Sequence, residues 1–337
     1  MRSSLLAVAF TASLALAACG STPDASSGSS PSMPASTPPA SSAAPEAVPS
    51  AEPLKVVTAF YPLTYLAEQV GGDQITVTNL TPPGGEPHDL ELTPQQVAAI
   101  GEADLVLYIE GFQPAVDEAV AQQASSTALS MSANLTLLEG EEHEHEGEEH
   151  EGEEHEGEEH EGAHGATDPH VWLNPLNMEA MGTTVADRLS SIRADKQAVF
   201  SANAQALAST MSELDAAWAA GTEKCTSRDL VTSHEAFGYL AKRYGFTQVG
   251  ISGLSPDSEP SPAKIVEIAD FVRANNVKTI YYETLVDPKI AETVASETGA
   301  STAVLDPLEG LAPGSTGNYV TVMESNLASV KAGNGCA

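Results

Sequence analysis

The sequence is poor in basic residues, contains only three cysteines and has no HExxH motif outside the glutamate- and histidine-rich stretch of residues 139–167. Lysine and arginine number 14 against 47 acidic residues, which gives a formal net charge of -33. A chain with this balance repels nucleic acids and anionic lipids and attracts cations. A nucleic-acid partner is therefore not expected, and outside residues 139–167 no HExxH motif gives a direct sequence signal for a zinc hydrolase.

The first cysteine, Cys19, ends an N-terminal segment with the pattern of a secretory signal. Arg2 is followed by an apolar run over residues 5–18, which is too short to span a bilayer as a mature helix. The letters LAAC are similar to the lipobox of bacterial lipoproteins, which predicts cleavage before Cys19 and lipidation of that cysteine. An ordinary secretory cleavage site is the alternative. We expect a signal peptide over residues 1–18 and a mature protein anchored outside the cytoplasm.

Residues 19–51 are rich in serine, proline and alanine and have few large apolar side chains. Such a segment cannot bury enough surface to offset the entropy cost of ordering, so we predict a disordered tether. The other two cysteines, Cys225 and Cys336, lie in a compartment that permits oxidation. They could close a disulfide, with two buried free thiols as the alternative.

Short β-branched runs alternate with helical patterns in both halves of the chain, which predicts an α/β fold with mostly parallel sheets. Residues 52–174 are expected to form one lobe and residues 221–337 the other. Between them, residues 175–220 follow helical spacing and have no proline after the first position. We expect a long rigid helix that joins the lobes, with a cleft between them. The predicted strands are 54–60, 75–80, 104–109, 229–234, 246–251, 277–283 and 301–306.

Residues 139–167 contain a repeat of glutamate, histidine and glycine without large apolar side chains. Steps of five residues do not collect the histidines on one helical face, and the glycines and clustered negative charges also disfavour a helix. We predict a disordered insert that binds zinc weakly, with a solvated acidic spacer as the alternative. Its candidate auxiliary ligands are His143, His145, His150, His155, His160 and His164.

Only three histidines lie outside this insert: His88, His170 and His234. Each lies in a loop-like stretch or at a strand end, and ligands of open α/β sheets bind at the carboxyl ends of strands. We expect the three to converge on the cleft between the lobes. A carboxylate from the stretch VLDPLEGL could complete the set, either Glu309 or, as the alternative, Asp306.

Three imidazoles and one carboxylate make a four-coordinate set that suits zinc and needs no sulfur ligand. A lone histidine, however, is more often a surface residue or a satisfied interior residue. Spacing alone therefore leaves two interpretations open, a metal site or three unrelated structural histidines.

Four stretches in this order resemble the substrate-binding proteins of bacterial metal ABC importers, zinc-uptake branch: GGEPHDLELTP, DPHVWLNP, SHEAFGYLAKRYG and VLDPLEGL. The resemblance covers roughly residues 52–335. It implies two α/β lobes joined by a long rigid helix and a single metal ion in the cleft, held by His88, His170, His234 and Glu309. In some zinc members water takes the fourth position. Members resembling manganese carriers more often have glutamate at the third position and aspartate at the fourth, so the resemblance favours zinc here.

The resemblance implies a monomeric, lipid-anchored protein that captures Zn²⁺ and delivers it to an ABC-type permease in the cytoplasmic membrane without chemical conversion. A secreted zinc hydrolase is the first alternative, and it would need an open coordination position and a general base, for which Glu86 is the candidate. A surface metal store or adhesin is the second alternative. In that case the His/Glu-rich insert would be the functional part and the lobes a scaffold.

Overall fold

A computed structural model of the chain describes residues 52–140 and 167–337, and its first half is built around a parallel sheet. The sheet has the order β2-β1-β3-β4, in which β1 is Leu54–Thr58, β2 is Ile75–Asn79, β3 is Leu105–Tyr108 and β4 is Ala128–Ser130. Helices α1 (Tyr61–Gly71), α2 (Pro94–Gly101) and α3 (Pro114–Gln123) connect these strands. The three strands predicted here are present. Strand β4 was not predicted, because three half-buried residues give no clear alternation.

A two-stranded antiparallel pair follows, formed by β5 (Leu138–Glu139) and β6 (Thr167–Asp168). The two end residues of the predicted disordered insert, Glu139 and Thr167, therefore lie in paired strands. The six auxiliary histidines of the insert lie outside the described residues. So do the predicted signal peptide, Cys19 and the tether.

The predicted connecting region forms two helices, α4 (Pro175–Ile192) and α5 (Gln197–Thr222), with a short 3-10 turn at Ala194–Lys196 between them. The helical connection predicted for residues 175–220 thus consists of two helices, of which α5 is the longer. The turn between them contains no glycine or proline, so no breaker residue marks it in the sequence. Tertiary packing accounts for it, because α4 folds back along α5. A Cβ on Gly182 would lie 2.7 Å from Cδ2 of Leu207, so the glycine permits this close approach of the two helices.

The second half is built around another four-stranded parallel sheet, in the order β10-β9-β7-β8. Its strands are β7 (Asp229–Thr232), β8 (Thr247–Gly250), β9 (Thr279–Tyr282) and β10 (Ser301–Val304). Its helices are α6 (Gly238–Tyr244), α7 (Pro262–Ala274), α8 (Lys289–Thr298) and α9 (Tyr319–Gly333). All four strands predicted for this half are present, each shorter than its apolar run.

The largest hydrophobic core takes residues from both halves of the chain, which fixes the halves to each other. Phe60 and Trp172 pack with ring centroids 4.7 Å apart, and the same core includes Trp218, Tyr281 and Tyr319. A smaller core lies between the second sheet and its own helices and includes Val231, Ile268, Ile280 and Val294. The loops that meet between the two sheets therefore lie on one hydrophobic core that both halves of the chain form.

Polar contacts also tie α5 to α6. The guanidinium of Arg243 donates two hydrogen bonds to Asp215, at 2.8 and 2.7 Å, and the hydroxyl of Tyr244 donates a third at 3.0 Å. The guanidinium of Arg243 holds the pKa of Asp215 below its usual range, although burial opposes this. A carboxylate that is paired with a guanidinium and accepts three hydrogen bonds gives α6 a fixed orientation.

A disulfide joins Cys225 and Cys336 across 111 residues of sequence. It links the stretch after α5 to the end of the chain after α9. Within residues 52–140 and 167–337, none of the helices is long and apolar enough to cross a membrane.

Candidate metal centre

The four candidate ligands lie in four separate loops between the two sheets. His88 follows β2, His234 follows β7 and Glu309 follows β10, each after the carboxyl end of a parallel strand. His170 follows β6 and directly precedes the 3-10 turn that leads into α4. The topology thus gathers one side chain from each loop, as expected at the carboxyl edges of α/β sheets.

The side chains converge on one carboxylate oxygen. Oε1 of Glu309 lies 3.4 Å from Nε2 of His88, 3.2 Å from Nε2 of His170 and 3.1 Å from Nε2 of His234. Each residue offers a ligand atom, and these four atoms all lie within 4.8 Å of one another. His170, His234 and Glu309 are at most 1% exposed, and the side chain of His88 is 9% exposed.

These spacings suit a tetrahedral metal ion. With bonds of about 2.0 to 2.1 Å to zinc, neighbouring ligand atoms of a regular tetrahedron lie about 3.3 Å apart. Oε2 of Glu309 is buried without a hydrogen-bond partner, and the buried Nε2 of His170 has only its 3.2 Å contact with Oε1 of Glu309, which lacks good hydrogen-bond geometry. Such atoms are costly to leave unpaired, and a cation between the side chains would satisfy both.

Two carboxylates behind the site orient two of the imidazoles. Nδ1 of His170 donates to Oδ1 of Asp168 at 2.8 Å, and Nδ1 of His234 donates to Oε1 of Glu283 at 2.7 Å. Placing the proton on Nδ1 leaves Nε2 with a lone pair directed toward Glu309. Carboxylates in this position fix the tautomer and raise the basicity of a metal-binding histidine.

The loop that carries Glu309 is held in an unusual backbone conformation. Leu308 has φ of 61°, in the left-handed region that a branched side chain rarely adopts. Its N–H donates to Oδ1 of Asp306 at 2.8 Å, and Nε1 of Trp172 donates to the carbonyl of Pro307 at 2.7 Å. These contacts direct Glu309 into the site and support a strained residue beside it.

Asp306, the alternative fourth ligand of the sequence analysis, does not belong to the converging group. Its two carboxylate oxygens accept hydrogen bonds from the hydroxyl of Thr284 and the amide of Leu308, both at 2.8 Å. Asp306 therefore shapes the loop, whereas Glu309 points into the site.

The histidines and Glu309 shift each other's pKa values before an ion binds. Burial lowers the pKa of His88. Burial also opposes the charged forms of His170 and His234, but the neighbouring carboxylates outweigh it, so the pKa of His170 is raised and that of His234 is raised well above 6.5. Burial opposes ionisation of Glu309, yet the charge on His234 and the hydrogen bonds from the imidazoles hold its pKa well below its usual range. A metal ion must therefore displace protons from the site at neutral pH.

Glu86, the general base that a hydrolase would need, lies at the edge of the site. Burial, together with the negative charge of Glu309, raises its pKa to about 8, while the backbone N–H of His88 donates to it at 2.9 Å and acts in the opposite direction. A carboxyl group with this pKa is mostly protonated at pH 7 and is a poor proton acceptor there.

Sequence reasoning named all four converging residues but missed Asp168 and Glu283. Asp168 could have been found, because it stands two residues before His170 in the stretch DPH. Glu283 directly follows β9 and so occupies a strand-end position like those of the histidines. A carboxylate that accepts a hydrogen bond from a ligand histidine can come from any part of the chain. No sequence motif therefore marks Asp168 or Glu283.

A donor set of this kind between two α/β lobes is typical of a solute-binding protein for a metal ion. A family model described as "ZnuA: Zinc-uptake complex component A periplasmic" matches residues 56–333. The chain belongs to this zinc-uptake family. The family consists of solute-binding proteins of ABC importers, so the protein is a zinc-binding transport component and not an enzyme.

Individual proteins similar to this chain are also named as zinc-uptake or zinc-binding proteins. The chain is 38% identical over 285 residues to the high-affinity zinc uptake system protein ZnuA of Bacillus subtilis (strain 168), covering 82% of this chain and 86% of that one. It is also 38% identical to the zinc-binding lipoprotein AdcA of Streptococcus pneumoniae (strain ATCC BAA-255 / R6), but it spans only 55% of AdcA. The crystal structure of the Zn(II)-bound ZnuA-like domain of Streptococcus pneumoniae AdcA matches with a TM-score of 0.68 and 34% identity, over 84% of this chain and 99% of that domain.

Proposed function

We propose that the protein captures Zn²⁺ outside the cytoplasm with His88, His170, His234 and Glu309 and delivers it to the permease of an ABC importer. One observation carries the assignment of the ligands: three Nε2 atoms from three loops surround a single oxygen of Glu309 at 3.1 to 3.4 Å. Three neutral imidazoles with one carboxylate favour zinc over manganese, which prefers oxygen ligands.

The same assignment argues against a hydrolase. Four protein ligands fill a tetrahedral zinc ion and leave no position for an activated water. The carboxyl group of Glu86, the candidate general base, has a pKa raised to about 8 by burial and by the charge of Glu309. The filled coordination sphere therefore argues against an activated water, and the protonation of Glu86 at pH 7 argues against its action as a base.

We further propose that Cys19 carries the lipid anchor and that the mature protein acts as a monomer at the outer face of the cytoplasmic membrane. The LAAC stretch supports the anchor, as does the name of the streptococcal relative, zinc-binding lipoprotein AdcA. Residues 52–174 and 221–337 would act as the two lobes on either side of the site. The insert of residues 139–167, called the His/Glu-rich segment below, would bind zinc weakly. Its ligands would be His143, His145, His150, His155, His160 and His164.

Substitution of the proposed ligands tests this function. Replacing His88, His170 or His234 by alanine should each weaken zinc binding by at least about ten-fold, because even the loss of a group behind the ligands costs 10- to 100-fold. Glu309→Gln should weaken binding less, since the amide oxygen can still coordinate. Isothermal titration with residues 141–166 replaced by a short Gly-Ser linker measures the tight site alone. Glu324→Gln, an exposed glutamate on α9, is the matched control. Unchanged affinity in any two of the histidine variants would rule out this ligand set.

A further inference from the structure

A single tyrosine of the second half fastens both strands from which the His/Glu-rich segment departs. The hydroxyl of Tyr239, on α6, accepts a hydrogen bond from the amide of Leu138 in β5 at 3.0 Å. The same hydroxyl donates to the carbonyl of Asp168 in β6 at 2.9 Å. Tyr239 is 4% exposed, so both bonds are shielded from water.

The side chain of Asp168 continues this connection to a proposed zinc ligand. Its Oδ1 accepts hydrogen bonds from the backbone N–H of His170 at 2.9 Å and from Nδ1 of His170 at 2.8 Å. Asp168 is 4% exposed and His170 is fully buried. One carboxylate oxygen thus holds both the backbone and the ring of His170, and hydrogen bonds to an ionised acceptor are the stronger kind.

The first residue of α6 makes room for this carboxylate. A Cβ on Gly238 would lie 2.5 Å from Oδ2 of Asp168, a distance at which something must move. Gly238 does not have a positive φ, so the requirement for glycine here is one of space. Alanine would favour the helix itself, since glycine is the poorer helix former.

The strand pair is too short to hold its own shape. Leu138 and Glu139 pair with Asp168 and Thr167 over two residues each, and isolated two-stranded pairs are marginal in water. Residues 141–166 connect the two strands at the end of the pair where Glu139 lies opposite Thr167, and His170 lies two residues beyond β6. Unless other contacts hold the strand pair in place, movement of the pair would displace His170.

We infer that Gly238, Tyr239 and Asp168 form a clamp that positions His170 for zinc and isolates the tight site from the His/Glu-rich segment. The three act as positioning residues, because they touch the ligand or the strands and not the ion. This inference rests on the proposed function, since it assigns His170 as a ligand.

The first experiment tests the positioning of His170. Asp168→Asn keeps an acceptor but loses the charge, so zinc affinity should fall by about 10-fold, and Asp168→Ala should lower it further, toward 100-fold. In metal-free protein, at a pH where the ring is neutral, ¹⁵N NMR should show the Nδ1–H tautomer of His170 retained in Asp168→Asn and lost in Asp168→Ala, where the proton moves to Nε2 and Glu309. A purely structural role would lower the melting temperature and leave the tautomer unchanged.

Gly238→Ala is an independent variant in case Asp168→Ala does not fold. It should weaken zinc binding by several-fold, because the added methyl displaces the carboxylate of Asp168. Gly253→Ala is its control, since a Cβ on Gly253 meets nothing within 4 Å and should leave affinity unchanged. Wild-type zinc affinity in both Gly238→Ala and Asp168→Asn would overturn the clamp.

The second experiment tests the isolation of the site with a double-mutant cycle. Replacing residues 141–166 by a short Gly-Ser linker should change the affinity of the tight site by less than about two-fold in otherwise wild-type protein and by several-fold in Tyr239→Phe. Tyr281→Phe is the matched control, because its buried hydroxyl bonds Asn334 at 2.5 Å, away from β5 and β6. Additive effects of linker and Tyr239→Phe would contradict the isolation.

Failure of the clamp and failure of the proposed function give different results. If wild-type protein binds no zinc tightly, the proposed function is wrong. If wild-type protein binds tightly while Asp168→Asn and Gly238→Ala bind equally well, only the clamp is wrong.

Discussion

The proposed zinc ligands depend on hydrogen-bonded partners that set their protonation. Asp168 and Glu283 each hold an Nδ1 proton, so Nε2 of His170 and of His234 faces Glu309. The partners also make both imidazoles more basic, which strengthens a metal bond and equally strengthens competition from protons. Affinity for zinc at this site is therefore expected to depend on pH above the range of an unperturbed imidazole.

Zinc binding should release protons at neutral pH. Neighbouring carboxylates outweigh burial and raise the pKa of His170, and raise that of His234 well above its usual range, so protons compete with zinc for these rings at a higher pH than for an unperturbed imidazole. A protonated imidazole cannot bind metal, so apparent affinity should fall as the pH decreases from about 8 to 6. Calorimetry in buffers with different ionisation enthalpies counts the released protons. A flat affinity over this range with no proton release would show that the histidines are not the ligands.

The sequence contained enough information to select the proposed ligands, because the three histidines are rare residues at loop positions. Only three histidines lie outside the His/Glu-rich segment, so the choice was narrow. Between Asp306 and Glu309 the sequence alone could not decide, because both lie in one loop after β10. The positive φ of Leu308 and the hydrogen bonds of Asp306 decide which side chain faces the site.

Parallel strands and their following loops bring the ligands together, and this arrangement was predictable from apolar runs. The strands that carry the site are buried and rich in β-branched residues, which are reliable signals. The turn between α4 and α5 was not predictable, because no breaker residue marks it and helix-on-helix packing produces it. The close approach at Gly182 is visible only once the two helices are placed side by side.

The disulfide between Cys225 and Cys336 should contribute to stability and not to zinc binding. A bridge across 111 residues lowers the entropy of the unfolded chain, so Cys225→Ser with Cys336→Ser should reduce the free energy of unfolding by about 2 to 4 kcal/mol. Cys225 precedes the amino end of β7, whereas His234 follows its carboxyl end. Denaturant unfolding measures the loss of stability. Tight zinc affinity measured in native buffer should stay unchanged, and a ten-fold loss there would contradict a purely stabilising role.

The whole molecule carries a formal net charge of -33, which favours the approach of cations from a distance. The described part of the fold places the ends of the His/Glu-rich segment, Glu139 and Thr167, in a strand pair that adjoins His170. Ions held by the segment would therefore be concentrated near the proposed site, at an effective concentration of about millimolar for a short connection.

Removing the segment should separate weak zinc binding from tight binding. Replacement of residues 141–166 by a short linker should abolish additional weak equivalents of zinc and leave the tight equivalent and the fold unchanged. Growth of cells that carry the variant should slow only when zinc is scarce. Equal zinc stoichiometry with and without the segment, at micromolar free zinc and neutral pH, would reduce the segment to an acidic spacer.

Competition between zinc and manganese for the tight site tests the central proposal most directly. Protein with residues 141–166 replaced by a linker would be titrated with zinc against a chelator of known affinity, with and without an excess of manganese of about 100-fold. Three imidazoles and one carboxylate predict one tight equivalent of zinc that manganese does not displace. Displacement of zinc by manganese, or the absence of a tight equivalent, would contradict a zinc site at His88, His170, His234 and Glu309.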